Sequence, residues 1–266
     1  MIKIKTREEI QKMRAACRLA RKTLDFISGH VQAGISTQNL NDLCHDFITS
    51  HKATPAPLNY NQFPKSICTS INNVVCHGIP SEDEILVNGD IINLDITVIL
   101  DGYHGDTSRT FIIGEVSDEV RNFVSRSEEA MWRGIRAIKP GLNLYEVGHA
   151  IEKYISKFGY GIVEAYGGHG IGKEFHEDPQ VCHYYSRDEN NILLRPGMIF
   201  TVEPMINQGG DYRVHTSRSD GWTVTTRDGG LSAQFEHTVL VNSKGVEVLT
   251  KYRRNALRIY IFLNIR

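Results

Sequence analysis

The chain has no apolar run approaching the ~18 residues that a helix needs to cross a bilayer, so no membrane contact is expected. Its first residues, MIKIKTREEI, contain no apolar core and no cleavage pattern, which argues against a secretory leader. Charge of one sign is also missing. Lys and Arg number 30 against 31 Asp and Glu, a formal net charge of -1. No global basic field draws such a chain to DNA. There is no C-x-x-C pair. The five cysteines, Cys17, Cys44, Cys68, Cys76 and Cys182, are odd in number and scattered. A reducing, cytoplasmic setting suits them better than a disulfide framework or a zinc ribbon. No Ser-, Gly- or Pro-rich linker interrupts the chain, so residues 1–250 are expected to form a single domain.

What is present is ordered periodicity. Thr6 and Glu9 form a capping box, and Ile10, Met13, Cys17, Ala20, Leu24 and Ile27 follow at helical spacing. A second helix is predicted over residues 39–50, then a Pro-containing loop over 54–65. Strands are predicted at 66–71, 85–87, 91–100 and 104–113, the last two joined by a hairpin at Asp101-Gly102. The order then restarts. Helices are predicted at 117–138 and 145–158, a glycine-rich turn at 167–172, and strands at 199–202, 222–226 and 235–241.

The restart reads as an internal duplication. Gly34, Leu40, Cys44, Phe47 and Ile48 match Gly141, Val147, Ile151, Tyr154 and Ile155 at one constant offset. Gly89 and Asp95 match Gly197 and Glu203, His77-Gly78-Ile79 matches His169-Gly170-Ile171, and Asp106 matches Glu236. The expected fold is α+β, two pseudo-two-fold halves whose helices pack on the outer face of a curved, largely antiparallel sheet.

Each half thus supplies two acids and a histidine. Asp95 and Glu203 sit inside apolar strands, where an unpaired acid is costly. A lone buried acid is usually an ion pair, but four converging carboxylates repel one another and would have to protonate. Two divalent cations balance them, and His169 adds a nitrogen ligand. One imidazole with four carboxylates is too rich in oxygen for structural zinc; it suits Mn, Fe, Co or Zn in a catalytic pair. The GGHGIG segment is not a phosphate loop, and its glycines instead let the backbone pass close to the metals.

At this point the sequence resembles the type I methionine aminopeptidases of the pita-bread metallopeptidase family. The resemblance rests on PKSICTSINNVVCHGIP (64–80), GDIINLDITVILDGYHGDTSRTF (89–111), GGHGIG (167–172), FHEDP (175–179), GMIFTVEPM (197–205), DGWTV (220–224) and LSAQFEHTV (231–239). It implies that Asp95 chelates one metal, that Asp106 and Glu236 bridge both, and that His169 and Glu203 complete the shell of the other metal. It implies further that a hydroxide held by the two metals attacks the first peptide carbonyl, with Glu203 moving the proton. His176 would steady the oxyanion, and His77 would contact the peptide nitrogen and help the leaving group. Tyr60, Phe63, Cys68, Phe175 and Trp222 would form the methionine pocket, since a thioether packs well on aromatics and sulfur. Asn72, Val74 and Ser232 match positions that can bind a monovalent cation. The implied activity is removal of the initiator methionine from nascent or newly made polypeptides, favouring small second residues. The short bacterial form, monomeric and cytoplasmic, is expected.

Pro57 and Phe63 depart from the family, which often has Cys and Tyr there, and the loop after Asn207 is slightly long. The tail at 251–266, KYRRNALRIYIFLNIR, has five basic residues, no acid and no counterpart in the family. It is either a packed or frayed terminus or a transient contact with the ribosome or another anionic surface. Rival functions are a prolidase or Xaa-Pro aminopeptidase, which shares the five ligands but usually carries a further N-terminal domain, and a non-enzymatic binding protein on the same scaffold, in which ligands would be lost.

Overall fold

The computed structural model describes residues 1–251. The basic tail predicted at 251–266 lies, apart from Lys251, outside the described residues. The first half runs α1 (Arg7–Ile27), α2 (Thr37–Ser50), β1 (Thr54–Pro55), β2 (Cys68–Ile71), β3 (Val74–Cys76), β4 (Ile91–Leu100) and β5 (Tyr103–Ile112). The second begins with α3 (Asp118–Ala137), α4 (Tyr145–Ile155), β6 (Gly161–Ile162), β7 (Gly168–Gly170) and β8 (Glu177–Val181). It continues with β9 (Ile199–Val202), β10 (Met205–Asn207), β11 (Val214–Thr216), β12 (Val224–Thr226), β13 (Ser232–Gln234), β14 (His237–Asn242) and β15 (Gly245–Val248). No helix among the described residues is long and apolar enough to cross a membrane.

The two halves repeat one plan, and every strand pairing is antiparallel. In the first, β4 lies between β2 and β5 and also pairs β1. In the second, β9 lies between β7 and β14, with β8 and β15 at the edges. Two smaller sheets, β13-β10-β6 and β11-β12-β3, complete the fold. The last of these draws β11 and β12, from the long loop after Asn207, onto β3 of the first half.

Period-two alternation on β4 separates core from site. Ile92, Leu94, Ile96 and Val98 pack with Leu24, Ile27, Leu40, Cys44 and Ile48 of α1 and α2 in one buried cluster. Asn93, Asp95 and Thr97 therefore point the other way. On β9, Phe200 and Val202 join Val147, Ile151 and Ile155 of α4 in a second cluster. A third cluster joins Met13, Ala16 and Cys17 of α1 to Tyr103, Ile199 and Leu240, so α1 touches both halves.

The capping box on α1 is as predicted: Glu9 N–H donates to Thr6, and Thr6 N–H donates to the Glu9 carboxylate. Asp101 and Gly102 both have positive φ, 50° and 75°, as a tight hairpin turn requires. Four predictions need correction. Residues 85–87 form no strand; Ile85 makes only an isolated bridge to Ser36. The glycine-rich turn contains a strand, β7, because Gly168 and Gly170 admit the backbones of Thr201 and Asp178 where a side chain could not fit. The segment 145–158 ends as a 3-10 turn at Ser156–Phe158. The strand predicted at 235–241 breaks at Phe235 and Glu236, whose backbone pairs with β5 of the other half.

Gly105 lets β5 press against α1. A Cβ there would lie 2.4 Å from Ala16 C and Cys17 N, which are backbone atoms that cannot swing aside. Gly105→Ala is therefore expected to cost about 3 kcal/mol and to lower Tm by roughly 5–10 °C in a thermal scan. A Tm within about 1 °C of the parent would show that α1 does not constrain β5.

Candidate active site

The hairpin β4–β5 sets Thr97 opposite Asp106, and the Thr97 hydroxyl donates to Asp106 Oδ1 at 2.7 Å. Asp95 lies on the same face of β4 as Thr97, two residues before it. From the second half, Glu203 follows β9 directly and Glu236 precedes β14, with Val202 and His237 in register. Three bonds sew Glu236 and the start of β14 to β5. Glu236 N–H donates to Ser108 O at 3.1 Å, Thr107 Oγ1 to Glu236 O at 2.8 Å, and Thr238 Oγ1 to Asp106 O at 2.7 Å. Ligand oxygens of Asp95, Asp106 and Glu236 lie within 4.8 Å of one another.

Burial is the main force on their protonation. It raises Asp95 to about 7 and Glu203 to about 8. Asp106 and Glu236 are held well above the usual carboxylate range by burial and then by repulsion from the neighbouring acids. Asp95 Oδ1 and Glu236 Oε1 are buried with no hydrogen-bond partner. A buried acceptor without a donor is costly, and a cation is the natural remedy.

His169 fits the same picture. Its Nδ1 donates to Gly170 O at 3.0 Å, so Nε2 carries the lone pair. That nitrogen lies 3.8 Å from Asp106 Oδ2 and 3.7 Å from Glu203 Oε1. Burial, and next the nearby His176, lower its pKa to about 3. An unprotonated nitrogen aimed at carboxylate oxygens is repulsive unless a cation lies between them. The donor set therefore fits metal ions.

A cavity of about 810 Å³ opens beside these groups, and all five proposed ligands are found on its wall: Asp95, Asp106, His169, Glu203 and Glu236. Tyr60, Phe63, Cys68, His77, Phe175, His176 and Trp222 line it too. Phe63 meets Trp222 edge-on, with centroids 5.2 Å apart. His77 holds a positive φ of 57° and stands edge-on to Trp222 and Tyr166. Burial lowers its pKa to about 4. Phe175 stacks on His176 at 4.4 Å. Pro57, the departure noted in the sequence, also reaches the cavity wall. Asn72, Val74 and Ser232 lie off that wall; Ser232 N–H donates to Asn72 O at 2.8 Å.

Several supporting residues escaped the sequence reading. The Thr201 hydroxyl donates to Glu203 Oε1 at 2.5 Å and Gln234 Nε2 to Glu203 Oε2 at 3.2 Å. Glu203 N–H donates to His183 Nε2 at 3.1 Å. Thr97 and Thr201 had a signal, since each lies two residues from an acid on a strand and so on its face. His183 and Gln234 had none.

Comparison with known proteins gives a consistent picture. The model of metallopeptidase family M24 matches residues 11–243. A methionine aminopeptidase of Rickettsia prowazekii is 54% identical over 249 residues, covering 94% of this chain and 95% of the relative. The methionine aminopeptidase of Escherichia coli (strain K12) is 49% identical over 250 residues, with 94% of each chain covered. The solved structure of the Rickettsia prowazekii enzyme superposes with a TM-score of 0.90, covering 94% of this chain and all of that one.

The raised carboxylates predict a stability profile. In the folded, metal-free protein Asp95 and Glu203 hold protons up to about 7 and about 8, against ordinary values of 3.8 and 4.5. The folded state therefore binds more protons than the unfolded chain between those limits, so its stability falls as pH rises through them. Metal-free protein should melt lower at about pH 8 than at about pH 5, and added Mn(II) should raise Tm more at the higher pH. Calorimetry showing a flat or rising metal-free Tm across that interval would contradict the convergence of acids.

Proposed function

The chain belongs to metallopeptidase family M24, and from that premise we propose that it hydrolyses the bond following the N-terminal methionine of newly made polypeptides. The chief support is the pairing of partnerless buried oxygens on Asp95 and Glu236 with an aromatic and sulfur-lined cavity beside them. Residues 1–250 act as one catalytic unit, since each half supplies two of the acids.

Asp95, Asp106, His169, Glu203 and Glu236 would hold two divalent ions, for which the donor set suits Mn, Fe, Co or Zn. When bound, such ions polarise the peptide carbonyl and make water acidic enough to attack it at neutral pH. The chain's own groups do the rest. Glu203 moves the proton, its oxygens steadied by Thr201 and Gln234. His176 donates to the oxyanion, and His77, neutral at physiological pH, contacts the peptide nitrogen as the amine leaves. Tyr60, Phe63, Cys68, Phe175 and Trp222 grip the thioether. Asn72, Val74 and Ser232 would take a monovalent cation behind the cavity. The enzyme works as a cytoplasmic monomer, and the role proposed for its basic segment 251–266 is a transient contact with the ribosome.

The metal-loaded chain should cleave a Met-Ala peptide and leave an Ala-Pro peptide intact. Asp106→Asn should lower kcat by at least about a hundredfold. Faster cleavage of the Ala-Pro peptide would replace this specificity with that of a prolidase. Removing residues 252–266 should weaken co-sedimentation with ribosomes and leave Met-Ala cleavage intact; unchanged co-sedimentation would rule the tail out.

A further inference from the structure

Tyr60 reaches the cavity from the first half and His176 from the second. They meet there with Tyr60 Oη 2.8 Å from His176 Nδ1. A neutral imidazole has one hydrogen, and this contact bears on which nitrogen carries it. If Nδ1 carries it, the ring donates to Tyr60 and Nε2 presents a lone pair. If Tyr60 donates, Nε2 carries the hydrogen. Only the second arrangement leaves the ring able to donate to an oxyanion.

Two arguments favour the second arrangement. A phenol is a stronger acid than a neutral imidazole N–H, and an imidazole nitrogen is a better base than a phenol oxygen, so O–H donating to Nδ1 is the preferred sense. Burial, and next the Glu174 carboxylate, raise the Tyr60 pKa, so the phenol keeps its hydrogen.

The contact is also built rather than incidental. Asn59, Asn61 and Gln62 flank Tyr60 with φ of 66°, 47° and 71°, a region that L residues rarely adopt. Bonds from Tyr60 N–H to Pro57 O at 2.9 Å and from Asn59 N–H to Phe63 O at 2.8 Å lock this turn. Backbone held this way persists where the surroundings over-determine it, and such places cluster at functional sites. On the other side Phe175 stacks against the His176 ring with planes 21° apart, which fixes the plane of the imidazole. Tyr60 itself packs on Phe175 at 4.9 Å.

We propose that Tyr60 is a positioning residue that donates its hydroxyl hydrogen to His176 Nδ1 and so fixes the Nε2–H form of the ring. The catalytic consequence rests on the hydrolytic role given to His176 above.

The experiment uses full-length, Zn(II)-loaded protein with ¹⁵N-labelled histidine. Long-range ¹H–¹⁵N correlation reads the His176 tautomer, assigned with His176→Gln, and Tyr60→Phe keeps the ring while removing the hydroxyl. The parent should show the Nε2–H form, and Tyr60→Phe should show a mixture. With a Met-Ala peptide, kcat should fall about tenfold while KM moves less than about twofold. An Nδ1–H ring in the parent would overturn the proposal, as would a tautomer unchanged by Tyr60→Phe. A raised KM at unchanged kcat would make Tyr60 pocket wall alone and overturn it too. The tautomer is read without turnover. A chain that cleaves no methionyl peptide would therefore refute the hydrolytic role, while the spectrum still decides the Tyr60–His176 bond.

Discussion

Four carboxylates, two from within β4 and β5 and two from beside the ends of β9 and β14, share one buried place, and the fold must reconcile them with the low polarity around them. Each alone would be costly, and together they repel. Two of them, Asp95 and Glu236, keep an oxygen that no protein donor reaches. A protein evolved for stability alone would fill such positions with apolar residues or place a basic side chain between the acids. Instead the nearest polar partners are hydroxyls and an amide, Thr97, Thr201 and Gln234, which orient an oxygen without neutralising it. The charge is left for something that enters from outside.

The rest of the molecule is arranged around that need. Alternation along β4 and β9 sends apolar side chains to the helices and polar ones to the site, so one strand serves both core and chemistry. The two halves contribute carboxylates almost symmetrically. Their histidines diverge: His169 aims Nε2 at the acids, whereas His77 stands between Trp222 and Tyr166 on the cavity wall. The same positions in a duplicated frame have taken different surroundings, carboxylates on one side and aromatic rings on the other.

Much of this was legible in the residues. The capping box of α1, the Asp101-Gly102 turn and the acids inside apolar strands are local signals, each set by a few neighbours in sequence. The failures were cases in which distant parts decided. Residues 85–87 have strand composition but no neighbouring strand to pair with beyond a single bridge. Gly168 looked like turn material, yet it admits the Thr201 backbone and so becomes strand. Glu236 interrupts a strand because its backbone bonds go to the other half. His183 and Gln234 are silent in the sequence, since nothing local marks a residue whose partner lies 20 or 31 positions away.

The seam between Asp106 and Glu236 has a consequence for the order of assembly. Its side-chain bonds join residues 129 and 132 positions apart. Contacts of such separation form late, after shorter loops have closed. On a growing chain the pair Asp95 and Asp106 is made long before Glu203 and Glu236 exist, and can collapse only as half a site. The cluster of acids is thus a checkpoint of completeness: it comes into being only once both copies of the plan have been synthesised and docked.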